Sequence, residues 1–399
     1  MSNTDSTPVS ANTAFSAELP DQHHTAGPEA GTTSDLLCFS HLRWNFVYQR
    51  PQHLLSRAAR DYRVWFLEEP VWSDKTELVS YQPVEGVTVL VPHIPHHTPG
   101  HEAIVLQRQL LDNFLAERQL TNFVAWYYTP MALLFSDHLM PGLTVYDCMD
   151  ELSAFWGAPP QLLQQEQRLI DRAALVFTGG ISLYEAKQNR HPQVFAFPSS
   201  IDFNHFSAAR TSLTDPADQA GIARPRIGFS GVIDERFDHQ LMRTLADQHP
   251  DWQFILLGPI VKIDPALLPH GPNVHYLGMK SYRDLPAYFS NWDVAMLPFA
   301  LNQSTRYISP TKTPEYLAAH LPVVSTPIRD VVRTYGNPDF VQIADNAEAF
   351  GQAIEVALSG RHPDKWAEID AFLTENSWDH TWNDMNRLIQ ANLKLAIEQ

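Results

Sequence analysis

The chain has 399 residues, too many for one compact core, so two domains are expected. Lys and Arg total 28 against 45 Asp and Glu, a formal net charge of −17 that repels phosphate backbones and argues against a nucleic-acid partner. The only two cysteines, Cys38 and Cys148, rule out a disulfide framework or a four-thiolate metal site and read as reduced core thiols.

Residues 1–34 are rich in Ser, Thr, Ala, Pro and acidic groups, with neither a basic start nor an apolar centre. They read as a disordered tail and not as a secretory signal. No run of about 18 apolar residues occurs, so no bilayer-spanning helix is expected and a cytoplasmic location follows.

From residue 35 short apolar runs alternate with helical patterns. Strands are expected at 36–40, 63–67, 87–91, 123–127, 143–146, 175–178 and 194–197. Several are apolar at consecutive positions, which suits strands covered on both faces. Between them, 48–60 places Leu54, Leu55 and Ala58 on one helical face. The segment 160–174 repeats the pattern with Leu162, Leu163, Leu169, Ile170 and Ala173, but Glu166 interrupts that stripe and predicts a partly buried face. This is the signature of a Rossmann-like domain over 35–206. The polar, proline-containing stretch 207–225 reads as a linker.

The alternation resumes with strands expected at 226–230, 253–257, 274–277, 294–297, 323–325 and 341–344. Helices are expected at 238–248, 283–290, 313–320, 347–359 and 363–374. A second Rossmann-like domain thus spans 226–378, and a last helix, within 379–399, is placed to pack back on the first domain. The expected class is α/β, two doubly wound parallel sheets facing a cleft, with ligands beyond the carboxyl ends of the strands.

The most informative segment is YISPTKTPEYLAAHLPVVST, residues 307–326. Thr313 reads as an N-cap with Pro314 at the first helical position, and the helix start beside Lys312 offers N–H groups and positive charge to a diphosphate. Glu315 either complements the helix dipole or accepts hydrogen bonds from ribose hydroxyls.

This segment resembles the donor-site signature of the group 1 glycosyltransferases of GT-B fold, in which a glutamate opens a helix leading to a G-x-P-V-V strand. Glu315 matches the second glutamate of their E-x7-E pattern. Tyr307 stands where the first belongs, and His320 replaces the glycine. PSSIDFNHF (198–206) resembles the segment closing the first domain, and RIGFSGVIDERFD (226–238) resembles the first donor-domain strand and loop. There Gly231 and Val232 replace a Gly-Arg pair, and Arg236 is the substitute cation. FILLGP, HYLGMKSYRDLPAYF and DVAMLPF complete the series. HLRWNFVYQRPQHLLSRAA and VYDCMDELSAF resemble a narrower group, bacterial glycosyltransferases of cell-surface polysaccharide synthesis.

The resemblance implies a nucleotide-diphosphate sugar donor, with a uridine or guanosine base, and a glycan or lipid-linked acceptor. No separate cofactor is implied. Donor contacts are expected from Gly231, Arg236, Gly258, Gly278, Met279, Lys280, Tyr307, Ser309, Pro310, Thr311, Lys312, Thr313 and Glu315. Arg236 and Lys312 would stabilise the leaving phosphate, and Asp150 or Glu151 would act on the acceptor hydroxyl. His41, Arg43, Arg50 and His53 would serve the acceptor or phosphate side, although helix packing explains Arg50 and His53 equally well. Asp147 reads as a strand-end cap.

No D-x-D motif occurs, so no bound divalent metal is expected, and the resemblance implies a retaining transfer; His93, His96 and His97 read as surface-loop residues. A lipid-linked acceptor leaves room for a peripheral membrane visit. Two other readings share the fold: a sugar-nucleotide epimerase, and a nucleotide-sugar-binding protein without transfer activity.

Overall fold

The computed structural model describes residues 34–336, 339–360 and 365–397. The expected tail therefore lies outside the described residues except for Ser34, which opens the first strand. The first nine strands are β1 (Ser34–Phe39), β2 (Tyr62–Leu67), β3 (Val71–Ser73), β4 (Glu77–Val84), β5 (Val87–Pro95), β6 (Phe123–Tyr127), β7 (Leu143–Cys148), β8 (Leu175–Thr178) and β9 (Val194–Ala196). They form one sheet in the order β3-β5-β2-β1-β6-β7-β8-β9, parallel throughout except that β4 runs antiparallel along β5.

The second sheet holds β10 (Arg226–Ser230), β11 (Gln253–Leu257), β12 (Val274–Gly278), β13 (Val294–Leu297), β14 (Val323–Ser325) and β15 (Gln342–Ile343). Its order is β12-β11-β10-β13-β14-β15, all parallel. The fold is two Rossmann-like α/β domains. In each sheet the strand order reverses beside its first strand, between β1 and β6 and between β10 and β13. That reversal opens a crevice at the carboxyl ends.

Both sheets are covered on both faces, as continuous apolar strands require. Along β1, Leu36 and Cys38 enter one buried cluster and Leu37 and Phe39 the other. In β11, Ile255 and Leu257 alternate with Phe254 and Leu256 in the same way. Both cysteines are free and buried.

The expected interruption at Glu166 does not weaken its helix (Leu162–Arg172). Glu166 is itself buried and bonded to Lys187 at 2.6 Å, Arg190 at 2.7 Å and Tyr146 at 3.1 Å, which satisfies its charge. Leu163, by contrast, is exposed. The segment 207–225 is packed rather than free. Gln219 is fully buried against the Trp292 indole (2.8 Å), and Asp215 binds Arg226 (2.6 Å), so the segment is built into the second domain.

The helix Trp378–Ile397 returns to the first domain. Trp378, Trp382, Met385 and Ile389 join the buried cluster of β1 and β2. Tyr62 donates to Asn386 (2.7 Å), and the Trp382 indole to Asp61 (2.8 Å).

Candidate functional site between the two domains

The carboxyl ends of both sheets border one cleft. From the first domain, Val47, Tyr48, Gln49, Arg50, Met149, Asp150, Gly179 and Ser199 line it. From the second come Ser230, Gly231, Val232, Arg236, Phe299, Ile308 and the run Ser309–Lys312. A continuation of the cleft, sharing Val47, Tyr48, Ser230, Gly231 and Lys312, is lined by Gly258, Met279, Lys280, Tyr282 and Leu285. Most of the expected donor residues are thus brought together.

Lys312 opens a helix, Lys312–Ala318, two residues earlier than the first helical position expected at Pro314. Thr311 holds the cap position with helical backbone angles, and Thr313 lies inside the helix, its hydroxyl buried without a hydrogen bond. Pro314 falls at the third helical residue, where its missing N–H still costs no helical bond. Lys312 Nζ donates to Glu315 Oε2 at 2.6 Å, one helical turn on. Burial pushes the Glu315 carboxyl up, and Lys312 only partly offsets this. The next residue, Tyr316, fixes the opposite wall: its hydroxyl accepts from Ser230 N (2.7 Å) and donates to Ser230 O (3.3 Å), just before Gly231.

Gly231 and Gly258 are in backbone contact. A Cβ on Gly258 would overlap the Gly231 carbonyl, and Gly258 has φ +139°. Gly258 N donates to Gly278 O at 2.9 Å, and Gly278 itself turns at φ +71°. Gly258→Ala is therefore expected to lower stability by roughly 2–4 kcal/mol and to distort this wall. Chemical denaturation should show the loss, and a wild-type midpoint would refute it. Met279 is exposed, and Lys280 is held by Asp218 at 2.5 Å over the Tyr288 ring.

Arg236 donates to both carboxylate oxygens of Asp234 (2.6–3.1 Å), and its guanidinium lies 5.2 Å over the Phe155 ring of the facing domain. Asp150 sits opposite. Burial raises its carboxyl to about 6, with Arg236 pulling down and Asp234 pushing up.

Glu151 is not among the cleft-lining residues, because Lys187 Nζ binds it at 2.7 Å and Ser153 donates to it at 2.7 Å. Trp156, beside Phe155, is 79% exposed, whereas most of the other tryptophans are buried.

The four residues after β1 separate. Arg50 is buried and grips Asp147 with two nitrogens (2.8–3.1 Å) and Phe197 O with a third (2.7 Å), so its donors are committed to the fold. Arg43 ties Glu68 (3.0 Å) to Pro70 O (3.1 Å). His53 stacks on Trp378 at 4.6 Å. His41 is held neutral: burial and Lys262 lower its imidazole to about 4.

Arg50→Met is expected to cost about 3–5 kcal/mol, because it strands the Asp147 carboxylate in the core, and Asp147→Leu added to it should recover much of the loss. Urea unfolding of both variants checks this. Full stability with weakened donor binding in Arg50→Met would instead make Arg50 a ligand contact.

Tyr307 packs against the buried cluster of the first domain, with Arg306 5.4 Å over its ring. His320 adopts φ +58° directly after the helix of Lys312, the left-handed geometry that favours glycine. It is compensated there by stacking on Trp366 (4.5 Å) and a contact with Asp370 (3.2 Å).

Sequence reasoning overlooked Tyr48, Ser199, Ser230, Tyr282 and Tyr316. Tyr48 and Tyr282 stack at 4.3 Å across the cleft, a pairing between residues 234 positions apart that no local pattern marks.

Residues 224–359 match the family model described as Glycosyl transferases group 1. The second domain is thus similar to the group 1 glycosyltransferases. Over 221 residues it is 26% identical to a putative teichuronic acid biosynthesis glycosyltransferase of Bacillus subtilis (strain 168), covering 50% of this chain and 54% of that protein. The chain thus spans about half the length of this curated relative.

The whole chain also has structural neighbours. It superposes on sucrose-phosphate synthase from Thermosynechococcus elongatus with TM-score 0.64 at 15% identity, covering 90% of this chain and 98% of that one. An E. coli trehalose-6-phosphate protein bound with UDP-2-fluoro glucose gives 0.65 at 11% identity, with 90% and 99% covered. These neighbours share the GT-B fold. Among the described residues no helix is long and apolar enough to cross a membrane.

Proposed function

We propose that the protein transfers a sugar from a nucleotide-diphosphate donor to a hydroxyl of a glycan or lipid-linked acceptor in surface polysaccharide synthesis. The reading rests on one arrangement: Arg236 and Lys312 of the second domain face the same cleft as Asp150 of the first. Breaking the bond to the anomeric carbon builds negative charge on the leaving diphosphate, and two fixed cations stabilise it as it forms. Arg236 and Lys312 supply that charge without a metal ion. The donor would be a uridine or guanosine sugar lying along Gly231, Gly258 and Met279–Lys280, with Glu315 behind Lys312.

Asp150 orients the acceptor hydroxyl. In a retaining transfer the departing phosphate takes the hydroxyl proton; in an inverting one Asp150 takes it. The name of the Bacillus relative supports a polymer acceptor. A cytoplasmic enzyme visiting the inner membrane face would meet such an acceptor in lipid-linked form.

The exposed Trp156 indole gives an acceptor sugar a flat face to stack on. Trp156→Ala should raise acceptor KM several-fold and leave donor hydrolysis unchanged; an unchanged KM would remove Trp156 from the acceptor side.

Incubation with uridine and guanosine sugar donors, followed by mass spectrometry, tests the function. Slow hydrolysis and transfer support the transferase. A changed sugar would indicate an epimerase, and binding without turnover a sensor.

A further inference from the structure

The two domains meet around the cleft, and one contact across its rim is built to hold them together.

The helix Ile181–Lys187 of the first domain begins after Gly180, which has no side chain to cap it. The missing cap comes from the other domain. Asp330 accepts from Ser182 N through both carboxylate oxygens (3.1 and 3.3 Å) and from Ser182 Oγ at 2.5 Å. Asp330 and Ser182 are both buried by the contact. A Cβ on Gly180 would lie 2.5 Å from Asp330 Oδ2 and 3.1 Å from Ser309 Cβ, so the fit depends on glycine at that position.

One turn further along the same helix, Glu185 receives Arg329 (2.8 Å) and Arg333 (3.0 Å). Beside the clasp, Ser199 Oγ donates to Ser309 O at 2.7 Å. Gly179 and Ser309, each a near neighbour of the contact, line the cleft. Arg333 belongs to a π-helical turn, Val332–Gly336, a geometry that recurs at functional sites.

We propose that Asp330 is a positioning residue that clasps the two domains shut over the donor by capping the helix of Ser182. This rests on the transferase reading, since the clasp serves to align donor and acceptor and to exclude water. Each opening uncaps the helix and returns a buried carboxylate to water, so closure is an equilibrium that Asp330 biases. Arg329 and Arg333 add a charge-paired hinge guard against Glu185.

The test uses the full chain, with UDP and GDP and their glucose and mannose sugars as probes. Asp330→Ala and Gly180→Ala, one from each domain, should shift X-ray scattering of the free protein to a larger radius of gyration. They should also weaken probe affinity about tenfold, raising donor KM more than they lower kcat. Glu185→Arg should open the cleft more mildly, and adding Arg329→Glu with Arg333→Glu should restore closure, a rescue that a merely structural defect would not show.

Wild-type scattering and wild-type donor KM in Asp330→Ala and Gly180→Ala would overturn the clasp. If Asp330→Ala fails to fold, Ser182→Ala and the charge exchange decide the matter by the same readouts. Altered scattering with no probe bound or turned over by the wild type would overturn the transferase reading and with it the positioning role. Unchanged scattering with intact turnover would remove the clasp alone.

Discussion

Lys312→Ala should lower donor turnover by about 10²–10³-fold, the effect of removing one preorganised charge from a leaving oxyanion. Lys312 is the cation shared by both parts of the cleft. Its partner complicates the single variant. Glu315 is buried and bonded to Lys312 at 2.6 Å, so deleting the ammonium leaves a carboxylate in low dielectric. Lys312→Met combined with Glu315→Gln removes both charges and keeps the volume, and should fold while remaining as inactive as Lys312→Ala. Release of nucleotide from UDP-glucose or GDP-mannose measures the loss. Wild-type turnover in the folded double variant would take Lys312 out of the reaction.

Asp150 sets the expected pH dependence. An ordinary aspartate titrates near 3.8, and burial lifts this one to about 6. As a hydroxyl-orienting or accepting group it works ionised, so transfer should rise with pH through a midpoint near 6 and level off above 7. Asp150→Asn should abolish that midpoint and lower transfer by roughly 10²–10⁴-fold if the group acts as a base. Unchanged turnover would remove it from the reaction.

The stability effect runs the other way. Because the folded state holds the proton more tightly than the unfolded one, stability falls as pH rises from about 4 to about 6, and the ionised carboxylate is a standing cost at neutral pH. Asp150→Asn should therefore stabilise the fold by on the order of 1–3 kcal/mol at pH 8 and by little at pH 4. Denaturant midpoints at the two pH values check the difference. A gain confined to pH 4 would contradict it.

Most strands of both sheets were legible because they are runs of apolar residues, a property that local sequence records directly. Several other elements escaped, two of the longest among them. The strand Glu77–Val84 alternates exposed and half-buried positions, and the helix Gly100–Glu117 buries only Ala103, Leu111, Phe114 and Leu115 over 18 residues. The strand carries no strong apolar signal, and the helix spreads its apolar residues beyond the buried face, with Val105 exposed. At the site, Lys312 and Glu315 could be read together because they are one helical turn apart. His320 could be seen only as a departure from a glycine; its left-handed backbone and its contact with Asp370 appear only once the helix Trp366–Glu375 is packed beside it.

The sequence by itself determined the α/β class and the succession of two Rossmann-like domains, since these depend on periodicity. Tertiary structure decided which polar groups remain available. Arg50 meets Asp147 across 97 positions, Glu151 meets Lys187, and Asp330 meets Ser182 across 148. Those pairings are set by strand order and domain closure, which bring together charges that desolvation compels to find partners. Side chains that looked alike in the sequence were thereby divided into those that hold the fold and those that face the cleft.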